Sequence, residues 1–295
     1  GFLAATVVFV LSDEAGTGDA PDGTGAEGML AVRSADGGGT QVLTMRDGAV
    51  RDSSHVPKRE LPAPDRRRTA VNIHAPDGMD FAVLDRRTGD TLFHADAGAD
   101  EVPLDWSPDG RRLVYRSGAP AEDGSGYRHR LLVADLDGGR RYPLDVVSRA
   151  PYNPRVRWSP RGDRIAVQAW RGENADLWVV DADGSDPVRL TDHPARDREP
   201  TWSPDGVHLA FDSDRNSTRD LYLVRADGTG LERLTHGPDD EFQPAWLDER
   251  RLAYLSDRDV ADPSPAAGPE LGDLWTMDVT TRRKIGRASC RERVY

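Results

Sequence analysis

A recurring five-residue motif constrains the fold of this chain more than any other feature of its sequence. The motif reads Trp-Ser-Pro-Asp-Gly, or a variant of it, and begins at Trp106, Trp158, Trp202 and Trp246. These tryptophans stand 52, 44 and 44 residues apart. Self-similarity at such a period is typical of architectures that stack copies of one supersecondary unit. The spacing therefore predicts a repeat fold.

The copy that contains the third motif shows what each unit is. Residues 204–206, Pro-Asp-Gly, suit the second to fourth positions of a type I turn. Residues 207–213 then alternate as a strand, and 220–225 form another apolar run. The Asp-Gly pair at 227–228 is a hairpin signal, and 231–235 supplies a fourth strand. Four antiparallel strands per repeat predict one propeller blade.

The same residues resemble the TolB-type, WD40-like propeller repeat family. Three near-complete copies cover 104–236, and a degraded copy covers 242–283. Residues 28–103 carry only fragments of the pattern, with room for two irregular blades. The resemblance implies an all-β propeller of about six four-stranded antiparallel blades, the last of them possibly truncated. The propeller is expected to occupy 28–283, with regular blades over 104–283.

The two ends of the chain differ from the repeats. Residues 1–12 are almost entirely apolar, but as a helix they would reach about 18 Å, short of the roughly 30 Å hydrocarbon core. We interpret them as part of a membrane anchor or signal segment, with a cleaved signal or an N-terminal core strand as alternatives. Residues 13–27 read as a flexible, acidic, Gly-rich linker. Residues 284–295 resemble a translated sequencing adapter and are expected to stay outside the fold.

Charge and cysteine content exclude several classes of function. The formal net charge of −12 disfavours nucleic acid as a partner, because such binding depends on clustered Lys and Arg. The single cysteine, Cys290, lies in the adapter-like tail. Neither a disulfide framework nor a cysteine-ligated metal site is therefore expected.

Most of the conspicuous residues have a structural interpretation. Large rings fill the gaps between neighbouring sheets, and Asp residues at strand starts belong to the repeat pattern. We assign this role to Trp106, Trp158, Trp202, Trp246, Asp176, Asp220 and Asp273.

The sequence offers no catalytic or metal-binding set. Acidic residues at 212–220 imitate a calcium loop, but Ser217 and Leu223 occupy the positions where an EF-hand has Gly and Glu. The seven histidines form no His-x-x-x-His pair, and Ser125 lacks the strand-turn-helix setting of a nucleophile elbow. We therefore predict a protein without cofactor or metal that is not an enzyme.

Candidate binding residues recur where each blade begins. The segments that enter the first strand and the loops between the second and third strands share one face of a propeller. On this face we expect guanidinium, carboxylate, imidazole and amide groups suited to a polar peptide or glycan. The candidates, taken as residues of loops, are Arg155, His193, Arg198, Glu199, His236 and Gln243.

The resemblance also implies a class of function. The family includes a periplasmic component of the Tol-Pal system, which contacts the peptidoglycan-associated lipoprotein. We therefore expect a monomeric, non-enzymatic binding module of the bacterial envelope, membrane-anchored or secreted, whose partner is an envelope protein or a glycan. The alternative is the propeller of a prolyl-oligopeptidase-like serine peptidase, whose hydrolase domain would follow the blades.

Overall fold

A computed structural model describes the following residues of the chain: 7–10, 28–33, 40–46, 49–56, 60–75, 78–95, 100–120, 127–146, 154–171, 173–257 and 273–288. All regular secondary structure in these ranges is β-strand. None of these residues forms a helix of the length and hydropathy that a membrane span requires. The predicted linker at 13–27 and the loop around Ser125 lie outside the described residues.

The strands occur in groups of four along the chain. The first three groups are β1 Val7–Val10, β2 Gly28–Arg33, β3 Thr40–Arg46 and β4 Ala49–Val56; β5 Glu60–Pro62, β6 Arg68–Ala75, β7 Gly78–Asp85 and β8 Thr91–Ala95; and β9 Asp100–Trp106, β10 Arg112–Pro120, β11 Tyr127–Asp135 and β12 Arg140–Pro143.

The remaining groups contain the best-preserved repeats. They are β13 Arg155–Trp158, β14 Arg164–Arg171, β15 Asn174–Asp181 and β16 Val188–Arg189; β17 Asp197–Trp202, β18 His208–Ser213, β19 Asp220–Arg225 and β20 Glu232–Arg233; and β21 Glu241–Trp246, β22 Arg251–Ser256, β23 Asp273–Asp278 and β24 Arg283–Ala288. Over the described residues each group forms one antiparallel four-stranded sheet in chain order. This confirms the predicted all-β propeller architecture.

The chain divides into two compact units, which we describe separately. One unit, Arg59–His236, contains the four sheets from β5 to β20. The other combines Gly1–Lys58 with Gly237–Tyr295 and contains the first and the sixth sheets.

Both ends of the chain contribute strands to the sheets. Val7–Val10 pairs with β2 in the register Val7↔Val32 to Val10↔Met29. This is the core-strand alternative for residues 1–12, and it places part of the first sheet before residue 28. Arg283–Ala288 completes the sixth sheet, with Ala288 opposite Leu274. The expectation that residues from 284 onward stay outside the fold is therefore wrong for the first five of them.

The Ser-Pro-Asp-Gly segments form the turns that the sequence predicts. The N–H of Gly206 donates to the carbonyl of Ser203 at 2.8 Å, and Gly110 and Gly162 repeat this bond. Gly206 has φ 65°, in the left-handed region where glycine carries no Cβ penalty. The Ser203 hydroxyl donates to Asp205 at 2.5 Å and accepts the N–H of His208 at 2.9 Å, which closes the turn onto the second strand.

Three of the four motif tryptophans, Trp106, Trp158 and Trp202, lie between successive sheets of the larger unit. Trp202 packs in one hydrophobic cluster with Leu177 and Val179 of the preceding sheet, and Trp158 and Trp106 are buried in corresponding clusters. The indole N–H of Trp202 donates to the carbonyl of Arg157 at 3.0 Å. Within this unit, neighbouring sheets therefore bury their apolar faces against each other.

Arginines at the start of the second strands reinforce the same junctions. Arg164 donates to the carbonyl of Gly206 at 3.1 Å, and its guanidinium lies 5.5 Å from the centre of the Trp202 ring. Arg112 makes the equivalent bond to Gly162 at 2.9 Å and lies 4.8 Å from the Trp158 ring. Each such arginine therefore joins a turn and a ring of the next sheet through one side chain.

The repeated Asp at the start of the third strand pairs with an arginine of the fourth strand. Asp176 accepts a bond from Arg189 at 2.8 Å, and Asp220 accepts one from Arg233 at 2.9 Å. Both aspartates are buried. These pairs hold the short outer strands β16 and β20 against their sheets. The structure does not describe the side chain of Asp273.

Candidate binding site

The six candidate residues fall into two groups in the structure. Arg155, Glu199 and Gln243 occupy the same repeat position, three residues before a motif tryptophan. Arg155 begins β13, Arg198 and Glu199 lie in β17, and Gln243 lies in β21. The prediction that these four lie in loops is therefore wrong. His193 and His236 lie in segments that connect one sheet to the next.

Arg155 and Glu199 link two neighbouring sheets. Nε of Arg155 donates to Oε1 of Glu199 at 2.7 Å, and the backbone N–H of Glu199 donates to Oε1 of the buried Gln168 at 3.1 Å. Glu199 has φ 49° at a β-bulge that interrupts the register between Arg198 and Thr201. A non-glycine residue in this region is uncommon and is held by its surroundings. The two bonds fix the Glu199 carboxylate against the sheet that carries Arg155.

Arg198 is held by a carboxylate of its own sheet. Its Nη2 donates to Oδ2 of Asp214 at 2.6 Å. The other oxygen of Asp214 accepts the backbone N–H of Arg196 at 2.8 Å. Both carboxylate oxygens of Asp214 are thus occupied, and the bulged start of β17 is tied to the loop that follows β18.

A third ion pair, which sequence reasoning missed, involves a buried carboxylate of the same strand. Nη2 of Arg215 donates to Oδ1 of the fully buried Asp197 at 2.7 Å. The guanidinium of Arg215 also lies 4.6 Å from the centre of the Tyr222 ring. We call the six residues of these three pairs the arginine–carboxylate network: Arg155, Glu199, Arg198, Asp214, Asp197 and Arg215.

Asp197, the acidic residue of this third pair, has counterparts in other repeats. Glu101, Asp197 and Glu241 each lie five residues before a motif tryptophan, and all three are buried. In the smaller unit, Lys284 donates to Oε1 of Glu241 at 2.8 Å. The common offset from the tryptophan was a signal that the sequence contained, although residue type alone favoured exposed positions for these carboxylates.

Neither the histidines nor Gln243 is one of the six residues of these three ion pairs. Nδ1 of His193 accepts the N–H of Ala195 at 3.1 Å, so this ring nitrogen is engaged locally. His236 is exposed. Gln243 is buried in the smaller unit and repeats the left-handed backbone of Glu199, with φ 53°. Of the six candidates, Arg155, Arg198 and Glu199 therefore form the candidate site.

Metal binding has little support in the described part of the chain. It contains no group of three or more His, Cys, Asp or Glu residues arranged to hold an ion. In the calcium-like stretch, Asp214 and Asp220 are paired with Arg198 and Arg233 instead.

Another carboxylate joins two first strands in a less polar setting. Oδ2 of Asp105 accepts the backbone N–H of Trp158 at 2.8 Å, which connects β9 to β13. Burial raises the pKa of Asp105 from 3.8 to about 6, although the nearby Arg157 and the N–H groups of Trp158 and Trp106 oppose this shift. The folded protein therefore favours the neutral carboxyl more than the unfolded chain does.

Replacing Asp105 with asparagine is expected to stabilise the protein at neutral pH. The pKa of Asp105 is higher in the folded state than in the unfolded chain, so the neutral carboxyl contributes to stability. This contribution is complete below pH 3.8 and is lost as the pH rises through about 6. Asp105→Asn keeps an oxygen for the Trp158 N–H and removes the charge, so we expect a gain of about 1–3 kcal/mol at pH 7. The gain should vanish near pH 4.

Urea unfolding of both proteins at several pH values measures this difference. Asp137→Asn, at an exposed turn, serves as the control and should show no such gain. Equal stabilities of wild type and Asp105→Asn across this pH range would contradict the raised pKa.

Known proteins resemble the chain in both sequence and fold. Residues 102–262 match the family model described as TolB beta propeller domain. The Tol-Pal system protein TolB of Anaeromyxobacter dehalogenans strain 2CP-C is 39% identical over 99 residues, which cover 32% of this chain and 20% of that protein. The chain thus aligns with about a fifth of the length of this curated relative.

Two solved structures show how widely the fold is shared. TolB from Acinetobacter baumannii has a TM-score of 0.55 at 16% identity, covering 96% of this chain and 63% of that one. A puromycin-hydrolyzing peptidase of Mycobacterium tuberculosis has a TM-score of 0.57 at 18% identity, covering 90% of this chain and 45% of that one. At these identities the likeness concerns the fold alone.

Proposed function

The chain belongs to the TolB β-propeller family, and from this premise we propose that it is a protein-binding module of the bacterial cell envelope. It acts outside the cytoplasm, as a monomer, and binds another envelope protein. Its role is to hold that partner and not to catalyse a reaction.

The arginine–carboxylate network is the observation that supports this proposal most directly. Its side chains come from two neighbouring sheets and are fixed by ion pairs of 2.6–2.7 Å. Arg155 and Arg198 remain partly exposed, with 25% and 20% of their side-chain surface accessible. Arginines that are already ordered before binding lose less side-chain entropy when a partner arrives. Such a surface suits stable recognition.

The carboxylates of the network hold its arginines in place. Glu199, Asp214 and Asp197 each accept a hydrogen bond from an arginine, which fixes the orientation of both side chains. This arrangement supports a binding role.

Membrane attachment through residues 1–12 stays a prediction. The pairing of Val7–Val10 with β2 favours their alternative role as a strand. The extracytoplasmic location in the proposal rests on the family and does not depend on an anchor.

Capture of envelope proteins by the full chain tests the proposal. Wild type is expected to retain a partner that the Arg155→Gln, Arg198→Gln double variant loses. Arg111→Gln, at an exposed turn, is the matched control and should retain the partner. If wild type captures nothing from an envelope extract, the protein-binding function is refuted. Equal capture by all three proteins would place the binding surface elsewhere.

A serine-peptidase propeller is the second candidate, since the mycobacterial peptidase shares this fold over most of the chain. Reading the gene beyond codon 283 distinguishes the two. An α/β-hydrolase domain of roughly 200–250 residues with a Gly-x-Ser-x-Gly elbow would favour the peptidase.

A further inference from the structure

The two partly exposed arginines of the network keep hydrogen-bond donors that the fold does not use. Arg155 donates only through Nε, and among the described residues neither of its Nη atoms has a partner. Arg198 donates only through Nη2, so within the same ranges its Nε and Nη1 are unoccupied. A guanidinium carries five N–H donors. Both side chains are partly exposed and therefore keep N–H donors that a ligand could use.

The neighbouring acceptors are occupied or buried. Both oxygens of Asp214 accept bonds, and Asp197 is fully buried against Arg215. Glu199 is 17% exposed and uses Oε1 to hold Arg155. The accessible part of the network therefore has a surplus of donors, and the complementary ligand is one that brings acceptors.

Arg155 and Arg198 are linked through Glu199. Arg155 donates to the Glu199 carboxylate, and Glu199 directly follows Arg198 in β17, at the bulge that interrupts the register of that strand. The planar edge of a guanidinium matches the two oxygens of a carboxylate, so each arginine can take one in a bidentate pair. An extended peptide presents alternate side chains on one side and can offer two carboxylates together.

We propose that the unoccupied edges of Arg155 and Arg198 bind an acidic peptide segment of the partner protein. This inference rests on the proposed function and specifies its ligand. The chain as a whole carries a charge of −12, which repels acidic ligands at long range. At about 0.15 M salt that repulsion is screened beyond about 8 Å, so the local donors decide binding.

Binding of a fluorescent peptide of alternating glutamate and glycine to the full chain tests the inference. A peptide with glutamine in place of glutamate should bind at least about tenfold more weakly. Arg155→Gln with Arg198→Gln should weaken binding of the acidic peptide by about tenfold or more, because both bidentate pairs are lost. The control Arg111→Gln removes the same type of charge from a distant turn and should change the affinity less than about twofold.

Glu199→Gln provides a test in the opposite direction. Glutamine keeps an oxygen that can accept the Arg155 Nε bond, so Arg155 stays ordered, while the negative charge that competes with the ligand is removed. The acidic peptide should therefore bind about two- to fivefold more tightly. A residue that only supported the fold would weaken binding or leave it unchanged when substituted.

Three results would overturn the inference: equal binding of the acidic and amide peptides, equal effects of Arg111→Gln and the double variant, or weaker binding by Glu199→Gln. Binding of an acidic oligosaccharide without binding of the peptide would identify a glycan ligand and also overturn it. If wild type still captures an envelope protein that the acidic peptide does not displace, this inference fails while the proposed function stands.

Discussion

Replacing Trp202 with alanine is expected to lower the free energy of unfolding by about 3–5 kcal/mol. The ring is buried between two sheets, in a cluster with Leu177 and Val179. Its removal leaves a cavity at the junction and takes away the surface beneath the Arg164 guanidinium. Because each sheet buries its apolar face against its neighbours, the loss affects the packing of both sheets.

The variant Trp202→Phe measures the contribution of the aromatic ring separately from that of the indole hydrogen bond. Phenylalanine retains most of the apolar surface but cannot donate to the carbonyl of Arg157, which the indole N–H reaches at 3.0 Å. We expect this variant to retain more than half of the stability that alanine loses. Urea unfolding measures both, and an alanine variant destabilised by less than about 1 kcal/mol would contradict the packing role.

Replacing Arg215 with alanine is expected to cost about 3–5 kcal/mol, because it leaves the fully buried Asp197 carboxylate without its partner. The same change removes the cation that lies 4.6 Å from the Tyr222 ring. Desolvation of an unpaired charge makes this loss much larger than that of a surface ion pair.

A double-mutant cycle isolates the interaction free energy of the Arg215–Asp197 pair. Asp197→Asn combined with Arg215→Ala removes the buried charge and should recover part of the stability lost in Arg215→Ala alone. Arg225→Ala breaks an exposed pair with Asp227 and is the matched control, for which we expect little change. If Arg215→Ala behaves like this control, the ion pair does not stabilise the fold.

Local patterns were sufficient to predict the fold class and much of the turn chemistry. The tryptophan spacing, the Ser-Pro-Asp-Gly turns and the alternating strands are properties of short segments, and the structure confirms the all-β propeller that they predicted. Even the glycine that closes each turn was interpretable, because a left-handed backbone at Gly206 requires no distant contact.

The structure of the chain ends could not be predicted without knowing the sheets that they join. An apolar segment such as Val7–Val10 is compatible with an anchor or a strand, and its pairing with β2 favours the strand. Likewise, Arg283–Ala288 forms a strand by pairing with β23, although its own residues did not indicate one.

The candidate site, too, could be predicted from the sequence only in part. The repeat spacing by itself determined that Arg155, Glu199 and Gln243 occupy equivalent positions at the start of successive blades. Only the tertiary structure decided that Arg155 meets Glu199 and that Asp197 is buried, because these contacts join residues of different sheets or depend on a bulge in β17. Sequence periodicity predicts which face of a sheet a residue occupies. The packing of the sheets determines which residues far apart in the chain come into contact.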